Sequence, residues 1–168
     1  MRARAAVLAD RFEQANDELI AFVEGCSDTD WSARSEALGW SVAITAHHVA
    51  VRYPILTYLA DVIAAGQPRP EMTVETIDRM NREHAEQYAR CTRGETLGLL
   101  RRNAAASAST LRRLTDEQLD HTAILAWHGG RRTSARDVIE ALVIGHIFEH
   151  LAHMRGAVAQ RRSEASCS

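Results

Sequence analysis

The sequence predicts an all-α fold, an antiparallel four-helix bundle, on three observations. Apolar residues recur at steps of three and four along the long segments, none of these shows the strict alternation of a half-buried strand, and breaks rich in Gly, Pro, Ser or Asp separate them. Four principal helices of roughly 20–27 residues, each about 30–40 Å long by rise per residue, bury their stripes most simply against one another. A chain of 168 residues is one domain, spanning 1–168, with core enough to need no staple.

Residues 3–24 read as the first helix, with Leu8, Phe12, Ala15, Leu19 and Phe22 on one stripe and Gly25 ending it. The following segment, CSDTDWSARSEALG, reads as a loop pinned to the bundle end by Trp31. The second helix begins near Ser41 and runs to about Ala65, where Gly66 and Pro68 stop it. Val42, Ala46, Val49, Tyr53, Leu56, Leu59 and Ile63 form its buried stripe. Pro54 removes the hydrogen bond to the Ala50 carbonyl and predicts a kink just beyond His47-His48. Pro68 and Pro70 mark a linker.

Residues 73–90 read as a further helix. Thr92-x-x-Glu95 then caps a segment carrying Leu97, Leu100, Ala104, Ala108, Leu111 and Leu114. These two segments are either one broken helix or two separate ones. Residues 115–120 read as a short capped turn, and LAWHGGRRT as a loop. Residues 134–160, opened by the capping box Ser134-x-x-Asp137 and free of proline, read as one long helix, with 162–168 a polar, disordered tail.

Twenty basic residues, all arginine, stand against 22 acidic ones, for a net charge of −2. Despite the doublets Arg101-Arg102, Arg112-Arg113, Arg131-Arg132 and Arg161-Arg162, no basic footprint results, which argues against nucleic acid as a partner. Cys26, Cys91 and Cys167 are odd in number and form no CxxC pair, so neither a disulfide framework nor a thiolate zinc site follows. The apolar run at residues 5–9 is too short for a signal sequence, and no stretch approaches a membrane span. A soluble, cytoplasmic protein is expected.

The last helix carries the chemistry. His146 and His150 are four residues apart, which stacks two imidazoles on one helix face with Cβ atoms about 5–6 Å apart, close enough to share an ion. His153 follows at i+3 on nearly the same face. Val138 and Leu142 continue the line backwards, so the histidines lie on the core stripe. Either they are ligands to one ion, or they are core histidines satisfied by ordinary hydrogen bonds. His47 and His48, about 100° apart around the second helix, cannot both point at one centre. In a bundle, the second and last helices can face each other and bring three imidazoles together, leaving further coordination positions open for a reactant.

These residues resemble a known family. The run from Trp40 to His47-His48 is similar to the tryptophan-to-histidine signature of the DinB-like metal-binding bundles, in which the ligand follows the tryptophan by eight residues. His146-Ile-Phe-Glu-His150-Leu-Ala resembles the HxxxH of that family's last helix. The resemblance implies His48, His146 and His150 as ligands of a divalent metal, zinc or nickel. Two other registers stay open. A His-His-Arg-Gly-Gln ending, aligned on Arg155-Gly156, puts the second ligand of the last helix at Met154, and the Glu-xxx-His pair of relatives similar to mycothiol-dependent maleylpyruvate isomerases matches Glu149 and His153.

The resemblance further implies a metal-dependent transferase or isomerase that acts on a small molecule with a low-molecular-weight thiol. That thiol would be mycothiol if the all-arginine composition reflects a GC-rich actinobacterial genome. One alternative is a metal-dependent hydrolase of a small amide or ester. The other is a non-catalytic, stress-related metal-binding bundle, with a second copy of the chain as partner. Glu149 is the candidate base, though an exposed ion pair suits it as well. Asn81 and His84 are expected to face solvent rather than support the ligands. Trp127-His128 is expected at a pocket mouth, and Cys91 is expected to pack and not to act as a nucleophile.

Overall fold

The computed structural model describes residues 3–68 and 71–166. Helix α1 (Arg4–Glu24) buries Leu8, Phe12, Ala15 and Leu19 as the periodicity requires, with Val23, and not Phe22, completing the stripe. Gly25 caps it. The segment read as a loop contains a short helix, α2 (Asp28–Ser32), set by a capping box in which Ser27 and Asp30 exchange side-chain and backbone hydrogen bonds. The Trp31 indole Nε1 donates to the Cys91 carbonyl at 3.3 Å and fastens this segment to the chain just before Thr92.

Helix α3 (Val42–Ala64) starts at the Ser41 cap and stops before Gly66, whose φ of +63° suits a residue without a Cβ. It runs through Pro54 without a break. The Ala50 carbonyl, which Pro54 deprives of its helical donor, instead accepts from the Asn103 side-chain amide at 2.9 Å. Pro70 of the expected linker and Cys167 lie outside the described residues. Helix α4 (Val74–Gln87) and helix α5 (Arg93–Arg112) are separate, the latter opened by the Thr92/Glu95 capping box. The capped turn is α6 (Asp116–Leu119).

The segment before the last helix departs from expectation. It is a two-stranded antiparallel hairpin, β1 (Thr122–Leu125) on β2 (Arg131–Ser134), whose pairs run from Thr122 with Ser134 to Leu125 with Arg131. Its turn passes through a 3₁₀ segment, Ala126–His128, and two positive-φ glycines, Gly129 and Gly130.

The last helix is continuous from 135 to 166 but not uniform. α7 (Ala135–Asp137) leads into a π-helical stretch, Val138–Ile144, and then α8 (Gly145–Ser166). The Gly145 N–H reaches back five residues to the Glu140 carbonyl, one turn ahead of the first histidine. Residues 162–166, expected in a disordered tail, are helical. Arg162 is held there by a bidentate pair to the buried Asp30, at 3.1 and 2.7 Å.

The four long helices α1, α3, α5 and α8 share one core around Phe12, Leu19, Tyr53, Leu100, Ile147 and Leu151. Helix α4 buries only His84. Side-chain bonds from His84 and Asn81 to His47 and Arg52 tie it to α3. No helix among the described residues is long and apolar enough to cross a membrane.

Candidate metal centre

Helices α3 and α8 bring His48, His146 and His150 together. Nε2 of His146 lies 3.2 Å from Nε2 of His48 and 3.1 Å from Nε2 of His150, and one ligand atom from each ring falls within 4.8 Å of the others. The spacing on α8 supplies two of the rings, and the second turn of α3 supplies the third. Burial is the main reason all three resist protonation. It holds His48 far below the ordinary imidazole range and brings His146 down to about 3 and His150 to about 4; a neighbouring imidazole adds to each shift. At neutral pH the site therefore presents neutral rings with their Nε2 edges converging. Facing lone pairs at such distances repel unless a proton or a cation lies between them.

The far sides of the rings are unusual. The three Nδ1 atoms are buried and have no hydrogen-bond partner among the described residues, where ligating imidazoles commonly donate to a carboxylate or carbonyl. Ring packing orients His48 instead. Trp40 lies 5.1 Å from it between centroids, and His84 meets it edge-on at 5.4 Å.

His47 points away from the triad. It stacks on Tyr88 at 4.1 Å, and its Nδ1 lies 3.4 Å from Nε2 of His84. Asn81 and His84 do not face solvent as expected. His84 is buried between His47 and His48, with its pKa lowered to about 4, first by desolvation and then by His47. Asn81 accepts a 2.7 Å hydrogen bond from Arg52. The other registers find different environments: Met154 is packed in the core, Glu149 is exposed, and the His153 ring lies 6.3 Å from that of His150. Cys91 is half-buried and its thiol donates to the Ala43 carbonyl at 3.4 Å, a packing role.

The triad forms one wall of a cavity of about 500 Å³. Leu56, Leu59, Leu142 and Trp127 give it an apolar lining, Trp127 being the half of the Trp127-His128 pair that reaches it, while Arg52, Asn81 and Glu149 add polar groups. Sequence reasoning missed Arg52. Its position four residues after His48 was the available signal, since that spacing repeats a helix face.

Known proteins agree with this architecture. The solved structure of YfiT from Bacillus subtilis, described as a probable metal-dependent hydrolase with an unusual four-helix bundle topology, superposes with a TM-score of 0.75 at 17% identity, covering 97% of this chain and 91% of that one. At that identity the likeness is one of fold. No curated protein gives a significant match. The family model of the DinB superfamily matches residues 11–154, nearly the whole bundle including all three histidines, and the chain belongs to that superfamily.

Proposed function

We propose that His48, His146 and His150 hold a divalent cation and that the protein uses it to act on a small molecule in the adjoining cavity. One observation carries the reading: three neutral imidazoles turn their Nε2 atoms to a common point in the wall of a cavity large enough for a small organic molecule. Nitrogen donors of this kind suit zinc or nickel, and three protein ligands leave room for a reactant. Such an ion, when bound, supplies Lewis acidity that makes a thiol or a water a nucleophile near neutral pH.

The chain's own residues do the rest. Trp40 and His84 fix the plane of the His48 ring. Leu56, Leu142 and Trp127 give the reacting end an apolar lining. Glu149, exposed yet lining the cavity, is the candidate to accept a proton from the nucleophile. The first reading of the reaction is transfer or isomerisation with a low-molecular-weight thiol of the mycothiol type. Hydrolysis of a small amide or ester is the second, favoured by what is said of YfiT.

Metal analysis by mass spectrometry on untagged protein, beside His48→Ala and His150→Ala, tests the site. About one metal ion per chain in the parent, lost from both folded variants, is the expected result; a parent purified without chelators that carries none overturns the reading. Turnover that requires added thiol then selects the transferase, and turnover without it the hydrolase.

A further inference from the structure

Arg52 differs from the surface arginines that form ion pairs. Arg4, Arg11, Arg93, Arg101, Arg112 and Arg162 each reach a carboxylate. Arg52 is half-buried on the cavity wall, and no carboxylate lies within ion-pair distance of it among the described residues. Its hydrogen-bond partner among the described residues is the neutral Asn81 amide, whose Oδ1 accepts from Nη2 at 2.7 Å.

A guanidinium has five N–H donors in a planar fork, so this bond leaves most of them for the cavity. Removing such a cation from water without a counter-charge is costly, and the carboxylate that does line the cavity, Glu149, is on α8 and exposed. A divalent ion on three neutral imidazoles would add two further positive charges with no acidic ligand to offset them. Arg52 also follows His48 by one helical turn, so a molecule that meets the triad at one end brings its other end to the guanidinium.

We infer that Arg52, oriented by Asn81, recognises the carboxylate of a small-molecule substrate whose apolar body fills the space among Leu56, Leu142 and Trp127. A monoanion matches a single guanidinium in a planar, two-point contact. The inference rests on the reading of the cavity as the substrate site, and it assigns a substrate class to that reading.

The test is a binding comparison with a matched pair of probes, 3-phenylpropanoate and 3-phenylpropanamide, titrated by calorimetry into the metal-loaded parent, Arg52→Gln, Arg52→Lys and His150→Ala. The parent should bind the carboxylate at least about tenfold more tightly than the amide. Arg52→Gln should bring the two dissociation constants within about twofold of each other at unchanged metal content, and Arg52→Lys, which keeps the charge but loses the fork, should retain part of the preference. In His150→Ala, stripped of metal, the preference should persist; its persistence there would keep the Arg52 assignment even if the metal reading failed. Equal binding of both probes by the parent, an undiminished preference in Arg52→Gln, or no binding of either at roughly 20 mM would each overturn the inference.

Discussion

Tyr53 shows how strictly single residues are held in this core. Its hydroxyl donates to Asn16 Oδ1 at 3.0 Å with both residues buried, its ring meets Phe12 edge-on at 5.0 Å, and burial raises its pKa so that the phenol stays protonated. Tyr53→Phe keeps the shape and strands a buried amide oxygen, so it should lower stability by about 1–3 kcal/mol in urea unfolding with the metal content unchanged. A loss below a few tenths would mean that Asn16 finds another donor. The histidines were legible at this scale. A pair at i, i+4 on an apolar stripe announces itself, and the 100° between His47 and His48 says that only one can join it. Asn81 and His84 were not legible, because the groups that satisfy them, Arg52 and His47, sit on another helix. A polar residue on a polar helix reads as solvated until its partner is known.

At the scale of the element, the sequence marks where helices start better than it marks their internal departures. Ser41, Thr73, Thr92, Thr115 and Ser134 all cap as their side chains suggest. The hairpin before the last helix was not legible: its strands are four residues each, one carries two arginines, and no apolar alternation can be established over so short a length. Nor was the π-helical stretch Val138–Ile144, which depends on successive backbone N–H groups choosing partners five residues back instead of four.

Pro54 offers a cleaner test of element-level reasoning. Because Asn103 occupies the carbonyl that Pro54 frees, the two residues should be energetically coupled. Asn103→Ala should cost about 1–2 kcal/mol in the parent. In Pro54→Ala, where residue 54 regains an N–H for the Ala50 carbonyl, the same change should cost less than half as much. Additive effects across this double-mutant cycle would show that the Asn103 bond is not a replacement for the helical one.

For the whole molecule, the arrangement that creates the site also sets its response to acid. Helices α3, α4 and α8 meet at imidazoles that the folded protein keeps neutral, with His146 at about 3 and His150 and His84 at about 4, against about 6.5 for an unfolded chain. Between pH ~6.5 and pH ~3–4 the unfolded state therefore binds more protons than the folded one, and stability must fall as pH falls through that window. Asp30 adds a loss of the same sign further down. The Arg162 guanidinium and the Ser27 backbone hold its carboxylate below the usual range, so its contribution fades once pH drops below about 3.9. For metal-free protein, the urea midpoint should be level from pH ~8 to pH ~7 and then decline steadily toward pH ~4. Replacing His84 with Gln should flatten part of that decline, because one neutral buried imidazole no longer has to be protonated on unfolding. A midpoint that stays constant from pH ~7 to pH ~4.5 would mean that the buried histidines titrate in the folded bundle much as they do in water, and the packing around the triad would then have to be more open to solvent than the structure shows.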